Sequence, residues 1–450
     1  MTPAARLAAT IDLLSRIDET PRPADATVSG YFRERRFIGA KDRAAISEHV
    51  YRLLRRRARL GWWIERFGGE ARPRTLALAD LILGGAEPAA AERLFSGGTY
   101  APAPLSPEQR DLARKLAGHT LFHPDMPESV VAECPPWAES ELRDALGPRF
   151  ATELAALEEP APLDLRVNPL QATRQQALER LQSEGIRAAP TRLSPLGIRV
   201  EGRPAIASLA SYKEGWVEIQ DEGSQLVALL AGARPGQQVV DFCAGAGGKT
   251  LAIAAMMANK GRVIATDVLA GRLMRARERF RRAGVHNVQA RALEGENDPW
   301  IKRHKASFDR VLVDAPCSGT GTWRRNPDMR WRPLGPGLGE LIPLQARLLA
   351  SAARLVKPGG RLIYATCSML PAENQRQAES FLAAHPDFAP VDAAEAWRET
   401  IGTLGGPEPP SSPYLNLTPA RDGTDGFFAA FFDRKAKADA QAEDVSKPLD

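Results

Sequence analysis

From the N-terminus to about residue 120, apolar positions recur at helical spacing. Ile46, Val50, Leu53 and Leu54 fall on one apolar face. Arg52, Arg55, Arg56 and Arg59 recur at the same spacing on the opposite face, and Trp62 and Trp63 follow directly. Gly and Pro cluster between Gly84 and Pro107, which predicts a loop or short helices. The helical pattern resumes near Pro107 and continues over 125–158, with a break at Pro135-Pro136. At Leu163 the period changes. Leu163 to Val167 alternates like a strand, and Asn168-Pro169 closes it. Gln171 to Gly185 carries Ala177, Leu178 and Leu181 at helical spacing, and Gly197 to Glu201 reads as another short strand. These elements predict a small α+β insert.

From about Gln220 strands and helices alternate. Strands are predicted over Gln237–Phe242, Arg262–Thr266, Arg310–Val313 and Arg361–Ala365. Helices are predicted over Thr250–Ala258, Arg272–Ala283 and Leu341–Leu355. Lys357-Pro-Gly-Gly360 is the expected turn before the strand at Arg361. Such alternation implies an α/β fold, a parallel sheet with helices on both faces. Phe427 to Phe432 is a last strand, after the turn-rich Arg421 to Gly426. The polar, Ala-rich stretch from Lys435 to Asp450 is expected to be disordered. The expected division is 1–122 helical, 123–210 a helical linker plus a small α+β subdomain, 211–434 the α/β domain, and 435–450 the tail.

Composition narrows the class. A chain of 450 residues, 44% hydrophobic and 26% charged, can bury a core in two or three domains. The four cysteines (Cys134, Cys243, Cys317, Cys367) form no CxxC pair and show no metal-like spacing with the six histidines. That argues against a structural zinc, any other metal, or a disulfide framework. No signal-peptide core and no membrane-length apolar run is present. A cytoplasmic, reducing location fits and leaves thiols free for chemistry. The net charge of +5 matters through its distribution. Charge runs are commonly solvated faces, but Arg52, Arg55, Arg56 and Arg59 share one sign and adjoin aromatics. Arg33, Arg35, Arg36, Lys41 and Arg43 lie upstream. The expectation is contact with a phosphate backbone.

Asp241-Phe-Cys-Ala-Gly-Ala-Gly-Gly-Lys-Thr250 follows a predicted strand and opens a predicted helix, where glycines let backbone approach a ligand. A phosphate-binding P-loop needs glycine where Cys243 stands, so an ATPase is disfavoured. The dinucleotide fingerprint fails at Thr250. The next strand ends in Asp267, roughly 20 residues beyond the glycines, where an acid accepts hydrogen bonds from a ribose diol. The turn therefore fits S-adenosylmethionine, which carries a ribose but no phosphate. Its cofactor-binding candidates are Cys243, Ala244, Gly245, Ala246, Gly247, Gly248, Lys249, Asp267 and Asp314.

Two further strands end in thiols. Asp314-Ala-Pro-Cys317 follows one, and Tyr364-Ala-Thr-Cys-Ser368 ends the other. Carbon 5 of cytosine is too weak a nucleophile to attack a methyl sulfonium. A thiolate added at carbon 6 makes it an enamine carbon, and a carboxyl group near ring nitrogen 3 offsets the developing charge. A second thiol can assist release. Cys367, Cys317 and Asp314 are the catalytic candidates. A cysteine near a strand end is commonly a small buried hydrophobe. Positions just beyond the strands of an open α/β sheet, where ligands bind, favour the chemical reading. Asp314-Ala-Pro-Cys317 alone also suits a methyltransferase of exocyclic amines, against which the second thiol argues.

These motifs make the chain similar to the Sun-type RNA cytosine-5 methyltransferase family over roughly residues 160 to 433. The match comprises Leu165-Arg-Val-Asn168, Gln220-Asp-Glu-Gly-Ser-Gln225, the Cys243–Thr250 loop, Asp267, Asp309–Gly321 with Arg324-Arg-Asn-Pro-Asp328, Tyr364–Ser368 with Glu373-Asn374, and Asp425-Gly-Phe-Phe428. The N-terminal helices resemble a NusB-like RNA-binding domain. The resemblance implies a class I, Rossmann-like methyltransferase domain with a mostly parallel sheet. A small α+β, RRM-like insert and an all-helical N-terminal domain would precede it. It implies Cys367 as nucleophile, Cys317 in product release, Asp314 against cofactor or base, and Asp267 on the ribose. Lys249 would orient Asp314 or meet a phosphate. Arg324 and Arg325 become candidates for RNA backbone contact. The implied partner is RNA, ribosomal RNA of the small subunit being favoured through the N-terminal resemblance and transfer RNA remaining open. A non-catalytic RNA assembly factor is the rival from another class, and the intact thiols oppose it. The chain departs from the family at Gly245-Ala246, where Ala-Pro is usual. It departs again at Arg291-Ala-Leu-Glu-Gly295, where the family usually has an adenine-side Asp; either Glu294 substitutes for it or the adenine contact comes from backbone.

Overall fold

The apolar stripes and strand runs assemble into two compact units. Met1–Pro160 with Thr322–Pro336 form one, and Ala161–Gly321 with the chain from Gly337 onward form the other. The computed structural model describes residues 1–332, 334–409 and 411–436, so nearly all of the expected tail, 437–450, lies outside the described residues.

The first unit is helical. Ile46, Val50, Leu53 and Leu54 are buried as their spacing predicts, in a core shared with Leu13, Leu14, Trp63 and Leu78. The helix carrying them, Ala40–Arg55, stops at Arg56, and a second helix, Arg57–Arg66, starts at once. Arg52, Arg55, Arg56 and Arg59 therefore do not lie along one uninterrupted helix face. Among the described residues no helix is long and apolar enough to cross a membrane.

The second unit begins with an antiparallel sheet of β1 (Leu163–Val167), β2 (Ala188–Pro190), β3 (Gly197–Val200) and β4 (Val217–Ile219), in the order β2-β3-β1-β4. Helix Arg174–Ser183 covers it by burying Ala177 and Leu181 against Leu165, Val167 and Ile198.

The main sheet contains β5 (Gln238–Asp241), β6 (Arg262–Asp267), β7 (Val288–Ala292), β8 (Phe308–Asp314), β9 (Val356–Thr366), β10 (Phe388–Val391), β11 (Leu415–Leu417) and β12 (Phe427–Arg434). Its order is β10-β12-β9-β8-β5-β6-β7, with β11 pairing β12. Strands β5 to β9 are mutually parallel, and β10, β11 and β12 run antiparallel to their neighbours. Apolar clusters fill both faces, one built on Val239, Ala265 and Ile363, the other on Val240, Val311 and Tyr364. Double burial explains why the central strands read as unbroken aliphatic runs.

Lys357-Pro-Gly-Gly360 is not the turn expected ahead of the strand. It lies within β9, which pairs Val356 with Phe308 and then Arg361 with Arg310, so the extra residues arch out as a bulge. Gly359 takes φ +76° there.

Candidate active site

Parallel pairing brings the carboxyl ends of β5, β6, β8 and β9 to one edge of the sheet, where ligands of open α/β folds bind. Asp314, the last residue of β8, is in register with Ala365 of β9, two residues before Cys367. The chains beyond those strands stay together. Ala315 N–H donates to Ala365 O (2.8 Å), and Gly321 N–H donates to Cys367 O (3.0 Å). The thiols of Cys317 and Cys367 consequently meet, with Sγ atoms 3.4 Å apart. The hydrogen bond to Cys367, and burial after it, raise the Cys317 pKa well above the ordinary thiol range.

Lys249 opens the helix Gly248–Met256 and reaches Asp314, its Nζ donating to Oδ2 at 2.6 Å. Burial would lower the pKa of this lysine, but the Asp314 carboxylate outweighs it and raises the value. Cys367 adds to the rise. Of the two roles open to Lys249 in the sequence, the observed contact is with Asp314.

The glycine turn is shaped for close approach. Gly247 has φ +77°, and a Cβ there would lie 2.7 Å from the Phe280 ring, so only glycine fits beneath helix Ala270–Arg282. Gly245 has φ +56° and nothing within 4 Å of its Cβ position, which leaves open space above the turn. Ala244 N–H donates to Thr266 O, and Arg279 Nη1 donates to Ala246 O. Asp267 is buried at the end of β6. Its Oδ2 accepts from Gly245 N–H (2.9 Å) and its Oδ1 from Leu269 N–H (2.8 Å). One bond per oxygen leaves each carboxylate oxygen capacity for another donor. Among the described residues no group of His, Cys, Asp and Glu is arranged to hold a metal ion.

Comparison with known proteins settles the family. Residues 228–433 match the family described as 16S rRNA methyltransferase RsmB/F, and residues 134–207 match its ferredoxin-like domain. The ribosomal RNA small subunit methyltransferase B of Yersinia enterocolitica is 31% identical over 420 residues, covering 87% of this chain and 91% of that protein. The chain belongs to the RsmB/F methyltransferase family. A probable ribosomal RNA small subunit methyltransferase B of Synechocystis is 35% identical over 301 residues, and that alignment spans 66% of each protein. The crystal structure of PH0851 superposes with a TM-score of 0.77 at 25% identity, over 96% of this chain and 99% of that one.

A member of this methyltransferase family takes S-adenosylmethionine as cofactor, and the residues present fit it. Asp241, the last residue of β5, has one carboxylate oxygen bonded to Thr250 Oγ1 (2.6 Å). Its other oxygen is buried and has no partner among the described residues. Burial pushes the Asp241 carboxyl up to about 7. An orphaned buried carboxylate suits the cofactor's ammonium, Asp267 its ribose, and the open space at Gly245 its body. Val268 and Leu269 expose apolar surface directly after Asp267. Asp241 was not among the residues singled out from sequence; the available signal was its position as the last strand residue before the glycine turn. Glu294 is exposed, and its backbone N–H donates to the buried Asp298.

The arginines singled out for RNA have partners within the helical unit. Arg52 and Arg56 converge on the buried Asp80 at 3.0 and 3.2 Å. Arg59 is only 4% exposed; its Nε donates to Glu133 Oε1 (2.8 Å) and its Nη2 to Glu158. Arg55 donates to the Arg324 carbonyl (3.2 Å). Arg324 is itself 5% exposed, and with Arg325 it belongs to Thr322–Pro336, whose Trp331 and Asp328 bond Leu54 O and Ala24 N–H of the helical unit. Arg59 and Arg324 are buried, whereas Arg52 and Arg56 keep 39% and 40% of their side chains exposed while pairing with Asp80.

Proposed function

We propose that the chain methylates carbon 5 of a cytidine in RNA through a transient bond between Cys367 and carbon 6. The observation that carries this reading is the pair of thiols in contact, at 3.4 Å, beside the Lys249–Asp314 pair. The Cys367 thiol gives its proton to solvent and its sulfur bonds carbon 6, while the ring's π pair moves towards nitrogen 3. The Lys249 ammonium, held in place by Asp314, offsets the charge developing there. S-adenosylmethionine, when bound, supplies an electrophilic methyl group to carbon 5.

Release follows from what holds the proton on Cys317. The largest cause is its hydrogen bond to Cys367. Once that sulfur is bonded to carbon, the hydrogen bond weakens and Cys317 passes its own proton to solvent more readily. Its thiolate then takes the carbon 5 proton, and the carbon–sulfur bond breaks with its electron pair returning to Cys367.

Small-subunit ribosomal RNA is the favoured substrate, because the relatives from Yersinia and Synechocystis carry that RNA in their names. A cytoplasmic location accompanies it, and residues 1–122 are assigned as the helical RNA-contacting domain. The test is methyl transfer onto small-subunit ribosomal RNA, with bisulfite sequencing to locate the base. Cys367→Ala is expected to abolish transfer while S-adenosylmethionine still binds. Transfer at the wild-type rate would remove the nucleophile assignment and favour an exocyclic amine as the acceptor.

A further inference from the structure

Glu373 is a fully buried acid that the steps above do not use. It ends the short turn Pro371–Glu373 that follows β9. Its Oε1 accepts from Ser318 N–H (2.8 Å) and from Gln345 Nε2 (2.9 Å), and its Oε2 from the Ser318 hydroxyl. Gln345, buried on helix Leu338–Ala353, also donates to Pro316 O (2.9 Å). The carboxylate therefore grips both neighbours of Cys317, one directly and one through Gln345. The next residue does the same for the other thiol. Asn374 donates to Ser368 O (2.8 Å) and accepts from Thr366 Oγ1 (2.6 Å), the two neighbours of Cys367. The hydroxyls of Ser318 and Ser368, each one residue after its cysteine, lie 3.3 Å apart and join the two turns.

No cation pairs with Glu373 among the described residues; its hydrogen-bond partners are an amide, a backbone N–H and a hydroxyl. A buried carboxylate without an opposite charge is costly to keep, and here three hydrogen bonds to the Cys317 turn and Gln345 hold it. We propose that Glu373 is a positioning residue which, with Asn374, clamps the turns carrying Cys317 and Cys367 so that their sulfurs stay in contact. This deepens the proposed function by naming what holds the thiol pair at working distance. The carboxylate has a second effect. It adds to the rise in the Cys317 pKa, after the contributions of Cys367 and burial. It thereby helps Cys317 keep its proton until Cys367 has bonded the base.

Thiol proximity can be read without RNA. Diamide takes two electrons and two protons from a thiol pair, leaving a disulfide and a hydrazine. Its rate of forming the Cys317–Cys367 disulfide in the full chain, followed by peptide mass, reports how well the sulfurs are aligned. Glu373→Ala is expected to slow that rate about tenfold or more, since displacement by ~1 Å carries penalties of this size. Glu373→Gln keeps an oxygen for Ser318 N–H and Gln345 and is expected to restore most of the rate. S-adenosylmethionine binding serves as the check on folding. If Glu373→Ala fails to fold, Gln345→Leu, which cuts the bonds to Pro316 and Glu373, is expected to slow the disulfide by a smaller factor. A wild-type disulfide rate in whichever of these two variants folds overturns the clamp. On RNA, Glu373→Ala is expected to accumulate covalent adduct as Cys317→Ala does. If Cys317→Ala traps adduct and Glu373→Ala does not, the clamp is wrong and the methylation reading stands. If the disulfide slows but Cys317→Ala traps nothing, the clamp stands and the release step fails.

Discussion

Asp241 sets an inverted pH dependence on the stability of the sheet. A carboxyl that is held up to about 7 in the folded chain, against 3.8 in the open one, binds its proton more tightly when folded. Below about pH 4 both states are protonated and nothing is lost. As pH rises towards 7 the unfolded chain ionises first, and stability falls. The full loss is about 4 kcal/mol, from about 1.4 kcal/mol per pH unit of separation. Roughly 2.5 kcal/mol of it falls between pH 5 and pH 8. Asp241→Asn removes the titration and keeps an oxygen for Thr250. Urea unfolding of both proteins at pH 5 and pH 8 isolates the effect. Glu133, also pushed up to about 7 by burial, titrates in both and cancels in the difference. The asparagine variant is expected to gain on the wild type by about 2.5 kcal/mol over that interval. S-adenosylmethionine, whose ammonium pairs best with an ionised Asp241, is expected to stabilise the wild type more at pH 8 than at pH 5. Parallel pH curves for the two proteins would refute both the raised carboxyl and its assignment to the cofactor.

Cys317→Ala keeps the nucleophile but loses the proton acceptor, so protein should remain covalently attached to RNA as a slowly migrating band on denaturing gels. Wild-type migration would remove Cys317 from release. Arg59→Ala strips the buried Glu133 of its only ion-pair partner among the described residues and should cost about 3–5 kcal/mol in urea unfolding. The cost should grow as pH rises through 7, because the carboxyl left behind favours its protonated form. A loss under about 1 kcal/mol would show that the pair does not hold the helical unit. Reversing Arg52, Arg55, Arg56 and Arg59 together should unfold that unit before it reports on RNA.

Legibility from sequence tracked how local each feature is. Strands β5, β6 and β8 were placed within about two residues, because strands buried on both faces are continuous aliphatic runs. The short edge strands β2, β4, β10 and β11 left no such signal; each is three or four residues and takes its identity from a neighbour. The bulge at Lys357–Gly360 read as a turn because Pro-Gly-Gly marks both. The basic helix was legible only in part, for a different reason. Its spacing was helical and its core face correct, but Asp80 and Glu133, which bind its arginines, are distant in the chain. Nothing in the local pattern distinguishes a solvated arginine from one spent on a remote carboxylate.

Covalent order alone determined which chemistry was available: two cysteines and an aspartate just beyond aliphatic runs, a glycine turn with an acid after the next strand, and no metal-ligand spacing. These are properties of residue type and period, and they survive without coordinates. Only the tertiary structure decided that β8 and β9 are adjacent and parallel, which turns two cysteines 50 positions apart into sulfurs in contact. It also decided that Lys249 serves Asp314, that Asp241 keeps an oxygen without a partner among the described residues, and that Glu373 and Asn374 grip the flanks of both thiols. Contacts of this kind depend on strand order and on burial, and a linear pattern encodes neither.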